Sequence, residues 1–122
     1  MKTFKQYLIE NPIRDIVVTI PKSEYENDDL ETQRMKHHNE NQFWTMRKIP
    51  KAIGIGSRIY FVKYGMIESS MKIFKIERDK EETCTTTNRV WKGNLLYMND
   101  LQYLDNPIPC KGFQGYRYKW WN

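Results

Sequence analysis

Apolar, β-branched and aromatic residues are concentrated between positions 58 and 76 of the chain. Arg58–Tyr64 presents such side chains on both faces of an extended backbone, which is typical of a packed strand. Gly65 predicts a tight turn, because glycine adopts the positive φ that such a reversal needs. Met66–Ile76 predicts a second strand, so the pair predicts a long β-hairpin at the centre of a sheet.

Shorter elements are predicted on the N-terminal side of this hairpin. Thr3–Gln6 has the spacing of a capping box, which predicts a short helix over Phe4–Ile9. Asp15–Ile20 is rich in β-branched residues and predicts a strand. The polar segment Ser23–Asn41 has only a thin apolar stripe, so a helix over Leu30–Glu40 and a loop that becomes ordered on binding both stay open.

The C-terminal half predicts further strands separated by polar connections. Phe43–Met46 is expected to be an extended connection into the hairpin. Strand composition is found in three later segments: Thr83–Trp91, Asn94–Met98 and Tyr116–Trp121. Turn-forming, charged or polar residues predict three connections: Glu77–Glu82, Lys92–Asn94 and Asn99–Asn106.

These elements predict an α+β fold, namely a small mixed, partly open β-barrel with one or two peripheral helices. At 122 residues the chain is long enough for one domain with its own core. Residues 1–40 would supply the N-terminal helix, a strand and an acidic segment, and residues 41–122 would form the barrel.

Several classes of protein are disfavoured by composition. No apolar run approaches the roughly 20 residues of a membrane span, and the N-terminus lacks the pattern of a signal peptide. Cys84 and Cys110 lack CxxC spacing and are expected to be reduced thiols in a cytoplasmic protein. The adjacent His37 and His38 point in different directions on a helix or a strand, so neither a metal site nor a cofactor is predicted.

The net charge is +5, but the charged residues are distributed unevenly along the chain. Ser23–Glu40 has six acidic residues and two basic ones, whereas Asn41–Lys75 has seven basic residues and one acidic residue, Glu68. A basic block interleaved with aromatic residues is typical of a nucleic-acid surface. The alternative is a solvated sheet face whose lysines discourage pairing with other strands.

The hairpin and the C-terminus resemble the PUA-like superfamily, which includes the PUA, ASCH, EVE and YTH domains. The residues that carry the resemblance are Phe43-Trp44, Pro50, Gly56–Phe61, Gly65–Ile67 and Gly112–Tyr118. The resemblance implies a small β-barrel over about residues 41–122 that binds RNA or modified bases in DNA. Some ASCH members instead cleave RNA or deacetylate a modified cytidine. The short, lysine-rich chain is also similar to small phage-encoded members.

The function predicted from the sequence is non-enzymatic recognition of a nucleic acid, either RNA or single-stranded or modified DNA. A base would enter a cleft between the barrel and Ser23–Met46 and stack on Trp44 and Tyr64. The cations expected to hold the phosphates are Arg47, Lys48, Lys51, Lys63 and Arg117. The competing account places most of the aromatic rings in the core.

Two other functions stay open. An ASCH-type hydrolase acting on RNA or a modified nucleoside would use Glu68 as a general base, together with Lys51, Lys63 and Thr45. The structural alternative for Glu68 is a cross-strand ion pair. A phage-type inhibitor would instead bind a host protein through the acidic segment.

Overall fold

The computed structural model describes residues 13–25, 27–30, 42–83, 88 and 90–121. The predicted helix over Phe4–Ile9 lies outside these residues, as do His37, His38 and Cys84. All of the predicted helix over Leu30–Glu40 except Leu30 also lies outside them.

The described residues form six strands in one sheet. They are β1 (Ile16–Thr19), β2 (Gln42–Met46), β3 (Arg58–Lys63), β4 (Met66–Thr83), β5 (Val90–Pro109) and β6 (Tyr116–Tyr118). Their order across the sheet is β2-β5-β4-β3-β1-β6. The β1–β3 pair is parallel and the other pairs are antiparallel. The predicted hairpin of β3 and β4 is therefore confirmed, and it occupies the centre of the sheet.

A two-residue turn joins β3 to β4. Lys63 pairs with Met66, which leaves Tyr64 and Gly65 as the central residues. Their φ values are 54° and 74°, so both lie in the left-handed region, as a type I′ turn requires. The predicted role of Gly65 is confirmed, and Tyr64 shares the same backbone conformation.

The sheet curls into a half-barrel. Trp44 on β2 packs against Phe61 on β3, with 5.7 Å between the ring centroids. In a flat sheet these two strands would be about 14 Å apart, since β5 and β4 lie between them. The predicted partly open barrel is thus confirmed as a curled half-barrel whose described edge strands are β2 and β6.

Irregularities in β4 and β5 produce the curl. The pairing of β4 with β3 and β5 shifts around Glu68, and a second shift lies between Ile73 and Lys75. Asp100 on β5 has a φ of 56° between two paired segments of that strand. β-Bulges of this kind bend strands and increase their twist. The first part of β4 therefore pairs with β3, while its later part extends beside β5 alone.

Arg58 fixes the geometry of this bend. Its Nε donates a hydrogen bond to Ser70 Oγ at 2.8 Å, and its Nη2 donates to the Asp100 carbonyl oxygen at 2.7 Å. Its Nη1 lies 3.0 Å from Asp100 Oδ2, which also accepts a hydrogen bond from Gln102 Nε2. The planar guanidinium thereby connects β3, β4 and the irregular part of β5.

Two apolar clusters lie on opposite faces of the central strands. Ile59 and Phe61 belong to the larger, concave cluster, whereas Val62 is in the smaller cluster with Tyr60 packed against it, as the alternation in the sequence predicts. The rest of the buried concave cluster consists of Ile16, Val18, Ile20, Ile53, Met71, Ile73, Leu96 and Met98. The smaller cluster is covered by the C-terminal segment, including Phe113 and Trp121.

Several predicted boundaries are wrong because cross-strand pairing extends through polar sequence. Glu77–Glu82 and Asn99–Asn106 belong to β4 and β5 rather than to connections. Lys92–Asn94 lies inside β5, where Gly93 has a φ of 132°. Phe43–Met46 belongs to β2 because it pairs with β5. The single strand predicted over Thr83–Trp91 is also wrong, since Thr83 and Val90 are partners on different strands.

The helical content that the structure describes is small. A 3₁₀ turn spans Lys22–Glu24, and residues 25 and 27–30 are helical. The described chain is therefore mainly sheet, with less helix than the predicted α+β class implies.

The turn between β3 and β4 provides a test of the fold. We expect Gly65→Ala to lower the free energy of unfolding by about 1–2 kcal/mol, because alanine is strained at positive φ. No heavy atom lies within 4 Å of the added Cβ position, so a steric clash does not contribute. Gly65→Asn is the matched control and should retain most of the stability, since asparagine tolerates this conformation. Urea unfolding measures both, and equal stability of the two variants would contradict the assigned turn.

Candidate functional site

Lys63 and Tyr64 lie in a cluster of ion pairs and hydrogen bonds at the β3–β4 turn. Lys63 Nζ lies 2.6 Å from Asp28 Oδ2 and forms a second ion pair with Asp29. The Tyr64 hydroxyl donates a hydrogen bond to Asp29 Oδ2 at 3.1 Å, and the Tyr64 backbone N–H donates to the Tyr25 hydroxyl at 3.1 Å. The rings of Tyr25 and Tyr64 are 4.3 Å apart. These contacts attach the helical residues to the central hairpin.

The charges of this turn cluster stabilise one another. The hydrogen bond from Lys63 holds the pKa of Asp29 below its ordinary value. Burial lowers the pKa of Lys63, but its hydrogen bonds to Asp28 and Asp29 outweigh that effect, and the pKa is raised overall. Loss of surrounding water and the hydrogen bond to Asp29 raise the pKa of Tyr64. Lys63 is therefore a protonated cation paired with two carboxylates.

Trp44 and Tyr64 lie in different surroundings. Trp44 is half-buried and packs against Phe61 and the concave cluster. Tyr64 is 61% exposed, and among the described residues its ring contacts the ring of Tyr25. The two aromatic residues predicted to hold a base thus pack against different partners.

The remaining predicted cations lie in the connection between β2 and β3 and on β6. Arg47 and Lys48 follow β2 directly and are exposed, and the Arg47 carbonyl oxygen accepts a hydrogen bond from Asn94 Nδ2 at 2.8 Å. Lys51 is exposed further along the same connection, and Arg117 is exposed on the edge strand β6.

The residues predicted for a hydrolase are not joined to one another. Glu68 is exposed at the β4 irregularity close to the β3–β4 turn, whereas Thr45 is half-buried on β2, on the other side of β5. No hydrogen bond or ion pair connects any two of Glu68, Thr45, Lys51 and Lys63, all of which lie in described parts of the chain. Lys63 is instead paired with Asp28 and Asp29.

A second group of aromatic and basic residues surrounds β6. The Arg117 guanidinium lies 4.2 Å from the centroid of the Phe113 ring. Lys119 Nζ lies 5.3 Å from the Tyr60 ring centroid and 5.4 Å from that of Trp121. Both geometries are those of cation–π contacts.

The start of β1 and the Lys51 turn lie beside the same strand. The Arg14 guanidinium lies 4.1 Å from the Tyr118 ring centroid. The Ala52 backbone N–H donates a hydrogen bond to the Tyr118 hydroxyl at 3.3 Å, which places the Lys51 turn next to β6. We call Arg14, Lys51, Tyr116, Arg117, Lys119 and Trp120 the β6 surface. It wraps around the edge of the sheet, because Tyr118 packs against the concave cluster whereas the rings contacted by Arg117 and Lys119 pack against the smaller cluster on the opposite face. It contains two of the predicted site residues, Lys51 and Arg117.

Sequence reasoning predicted only part of the β6 surface, although a signal for more of it was present. Residues 110–121 contain three basic residues, four tyrosine or tryptophan residues and a phenylalanine, with no acidic residue. Tyr116–Trp121 therefore combines basic and aromatic residues, as does Asn41–Lys75, the block predicted to bind nucleic acid. Arg14 could not be assigned to this surface, because its approach to Tyr118 depends on the pairing of β1 with β6.

Neither a metal-holding group of side chains nor a membrane-spanning helix occurs in the described part of the chain. Within residues 13–25, 27–30, 42–83, 88 and 90–121, no group of three His, Cys, Asp or Glu side chains is placed to hold a metal ion. Over the same residues, no helix has the length and apolar character needed to cross a bilayer.

Comparison with known proteins gives no relative from which a function could be transferred. The chain matches no protein-family model, no curated protein and no solved structure. The functional argument therefore depends on the residues themselves.

The turn cluster predicts a pH dependence that can be measured at one carboxyl group. Because the pKa of folded Asp29 is lowered, its contribution to stability is present above its unfolded pKa of about 3.9 and is lost as the pH falls through the folded value. We expect Lys63→Met to raise the pKa of Asp29 in an NMR titration of the side-chain carboxyl carbon.

Lys72→Met is the matched control for this titration. Lys72 is an exposed lysine of β4 and forms no ion pair with any described residue. Its substitution should leave the Asp29 titration unchanged. An Asp29 pKa that is the same in the wild type and in Lys63→Met would show that the ion pair does not form in solution.

Proposed function

We propose that this protein is a non-enzymatic nucleic-acid-binding domain whose ligand contacts the β6 surface. Lys51 and Arg117 bind phosphate groups there, together with Arg14 and Lys119. The observation that carries this proposal is the combination of exposed cations and aromatic rings on one edge of the sheet. Trp120 and Tyr116 are 51% and 38% exposed, respectively, and both adjoin basic residues in the sequence.

Three of the four cations of the β6 surface contact aromatic rings before any ligand binds. Arg14, Arg117 and Lys119 each lie within 5.5 Å of an aromatic ring centroid. A cation–π contact restricts the side chain but leaves N–H groups free to donate to an anion, unlike a pairing with a carboxylate. Less conformational entropy is therefore lost on binding a phosphate than with freely rotating side chains.

The separation of charge directs the ligand to this surface. Asp28 and Asp29 surround Lys63 at the β3–β4 turn, where two carboxylates face one ammonium group. That end of the hairpin repels phosphates, whereas residues 110–121 have no acidic side chain. A polyanion is consequently attracted to β6 and excluded from the turn.

The PUA-like assignment belongs to the same proposal. It is supported by the curled half-barrel and by the central position of the β3–β4 hairpin, which contains the motif Gly56–Phe61 and Gly65–Ile67. We propose that the chain is a divergent PUA-like domain in which the ligand contacts the edge of the barrel.

Salt dependence provides the direct test of nucleic-acid binding. We expect the affinity for a labelled, mixed-sequence RNA or DNA oligonucleotide to fall steeply between about 50 and 200 mM salt, because bound cations release counterions. Arg117→Ala and Lys51→Ala should each weaken binding and reduce the slope of log K against log salt by about 0.7–0.9. Fluorescence anisotropy measures both quantities.

Arg78→Ala is the matched control. Arg78 is an exposed cation in the later part of β4, which pairs with β5 and extends away from β6. Its loss should leave the slope unchanged. The proposal is wrong if neither RNA nor DNA binds at about 50 mM salt, or if the control and the two β6-surface variants lose the same affinity.

A further inference from the structure

We infer that the ligand of the β6 surface is a single-stranded nucleic acid and that the Trp120 indole is a stacking platform for one unpaired base. This inference rests on the proposed function. It adds that the ligand is single-stranded and that Trp120 distinguishes a single strand from a duplex. It depends on how the two adjacent tryptophans are placed.

Trp121 is the anchored member of the pair. Its ring contacts Tyr60 at a centroid distance of 4.9 Å and an interplanar angle of 81°. It also packs against the cluster formed by Val17, Val62 and Ile67 on the side of the sheet away from the concave core. Trp121 is therefore a fixed support held by β1, β3 and β4.

Trp120 projects from that support. Its ring lies 5.1 Å from the Trp121 ring at an interplanar angle of 80°, and half of the residue is exposed to solvent. An edge-to-face contact holds one indole against another without covering both of its faces. Trp120 thus presents apolar, planar surface to solvent while its position is restricted by a half-buried neighbour, Trp121.

The cations beside Trp120 are placed to hold a phosphate backbone. Lys119 precedes it and lies over the Tyr60 and Trp121 rings, and Arg117 on β6 lies over the ring of Phe113, which precedes that strand. Successive nucleotides of a single strand present bases and phosphates together, so both kinds of group can be bound along one edge. The strand that pairs with β6 is β1, and the acid just before it, Asp15, accepts a hydrogen bond at Oδ1 from the Arg58 backbone N–H at 2.8 Å.

A single strand fits this arrangement better than a duplex does. The faces of the bases in a duplex are covered by the neighbouring base pairs, so an indole reaches them only by unstacking the helix. The described residues provide a short edge strand with a projecting ring, rather than a helix that could enter the major groove. The exposed indole therefore favours an unpaired base.

One experiment tests both the preference for single strands over a duplex and the role of the Trp120 indole. The probes are labelled oligonucleotides of about 12 residues, namely oligo(U), oligo(dT) and a DNA duplex of the same length. We expect both single strands to bind more tightly than the duplex. The affinity for oligo(U) relative to oligo(dT) shows whether the protein prefers RNA or DNA. Trp120→Ala should weaken single-strand binding about 5-fold to 150-fold, the equivalent of the roughly 1–3 kcal/mol of a base–aromatic stack.

Two controls separate stacking from other effects of the substitution. Trp120→Phe retains an aromatic face and should bind single strands more tightly than Trp120→Ala. Trp120→Ala should leave duplex binding, which comes from the cations, unchanged. Because Trp120 is half exposed, we expect the far-ultraviolet circular dichroism and the unfolding midpoint of Trp120→Ala to stay close to those of the wild type.

The outcomes distinguish this inference from the proposed function. Salt-dependent binding in which the duplex equals or exceeds the single strands would overturn the single-strand inference and leave nucleic-acid binding intact. The same conclusion follows if Trp120→Ala binds single strands as well as the wild type does. No binding of any of the three probes at low salt would overturn the proposed function together with this inference.

Discussion

The bend in β4 and β5 is the constraint on which the other features of the structure depend. Without it, Trp44 on β2 would lie far from Phe61 on β3, and the concave cluster would not close. Arg58 stabilises the bend because its guanidinium joins Ser70 to Asp100, the residue at which β5 departs from regular geometry. Arg58 therefore joins the central hairpin to the irregular part of β5, next to the shifts in pairing that accompany the curl.

The curl also determines which residues can act together. It leaves β2 and β6 as separate edges of the described sheet, and it brings Trp44 on β2 into contact with Phe61 on β3. At the other edge, the pairing of β1 with both β3 and β6 brings Arg14 and the Lys51 turn to Tyr118. A cluster of cations and aromatic rings therefore forms at one edge, and within the described residues no hydrogen bond or ion pair joins Thr45 to Glu68.

Local pattern predicted the centre of the fold better than its periphery. The hairpin and the opposed faces of Ile59 and Val62 follow from side-chain alternation and turn chemistry, which are local. The strand character of Glu77–Glu82 could not be predicted in this way, because it depends on pairing with β5, a later part of the chain. The pairing of Lys63 with Asp28 and Asp29 could not be predicted either, since about 35 residues separate them and only the fold brings them together.

The structural and functional explanations of the basic residues are compatible at β6. An edge strand exposes backbone groups that could pair with another chain, and basic side chains on such a strand oppose that pairing. Arg117 and Lys119 meet this need because a second strand of the same protein would bring like charges together. The same side chains that repel a second basic strand would attract the phosphates of a polyanion. Under the proposed function, this edge rejects protein strands and accepts a nucleic-acid strand, and Trp120 supplies an exposed planar surface on which its bases stack.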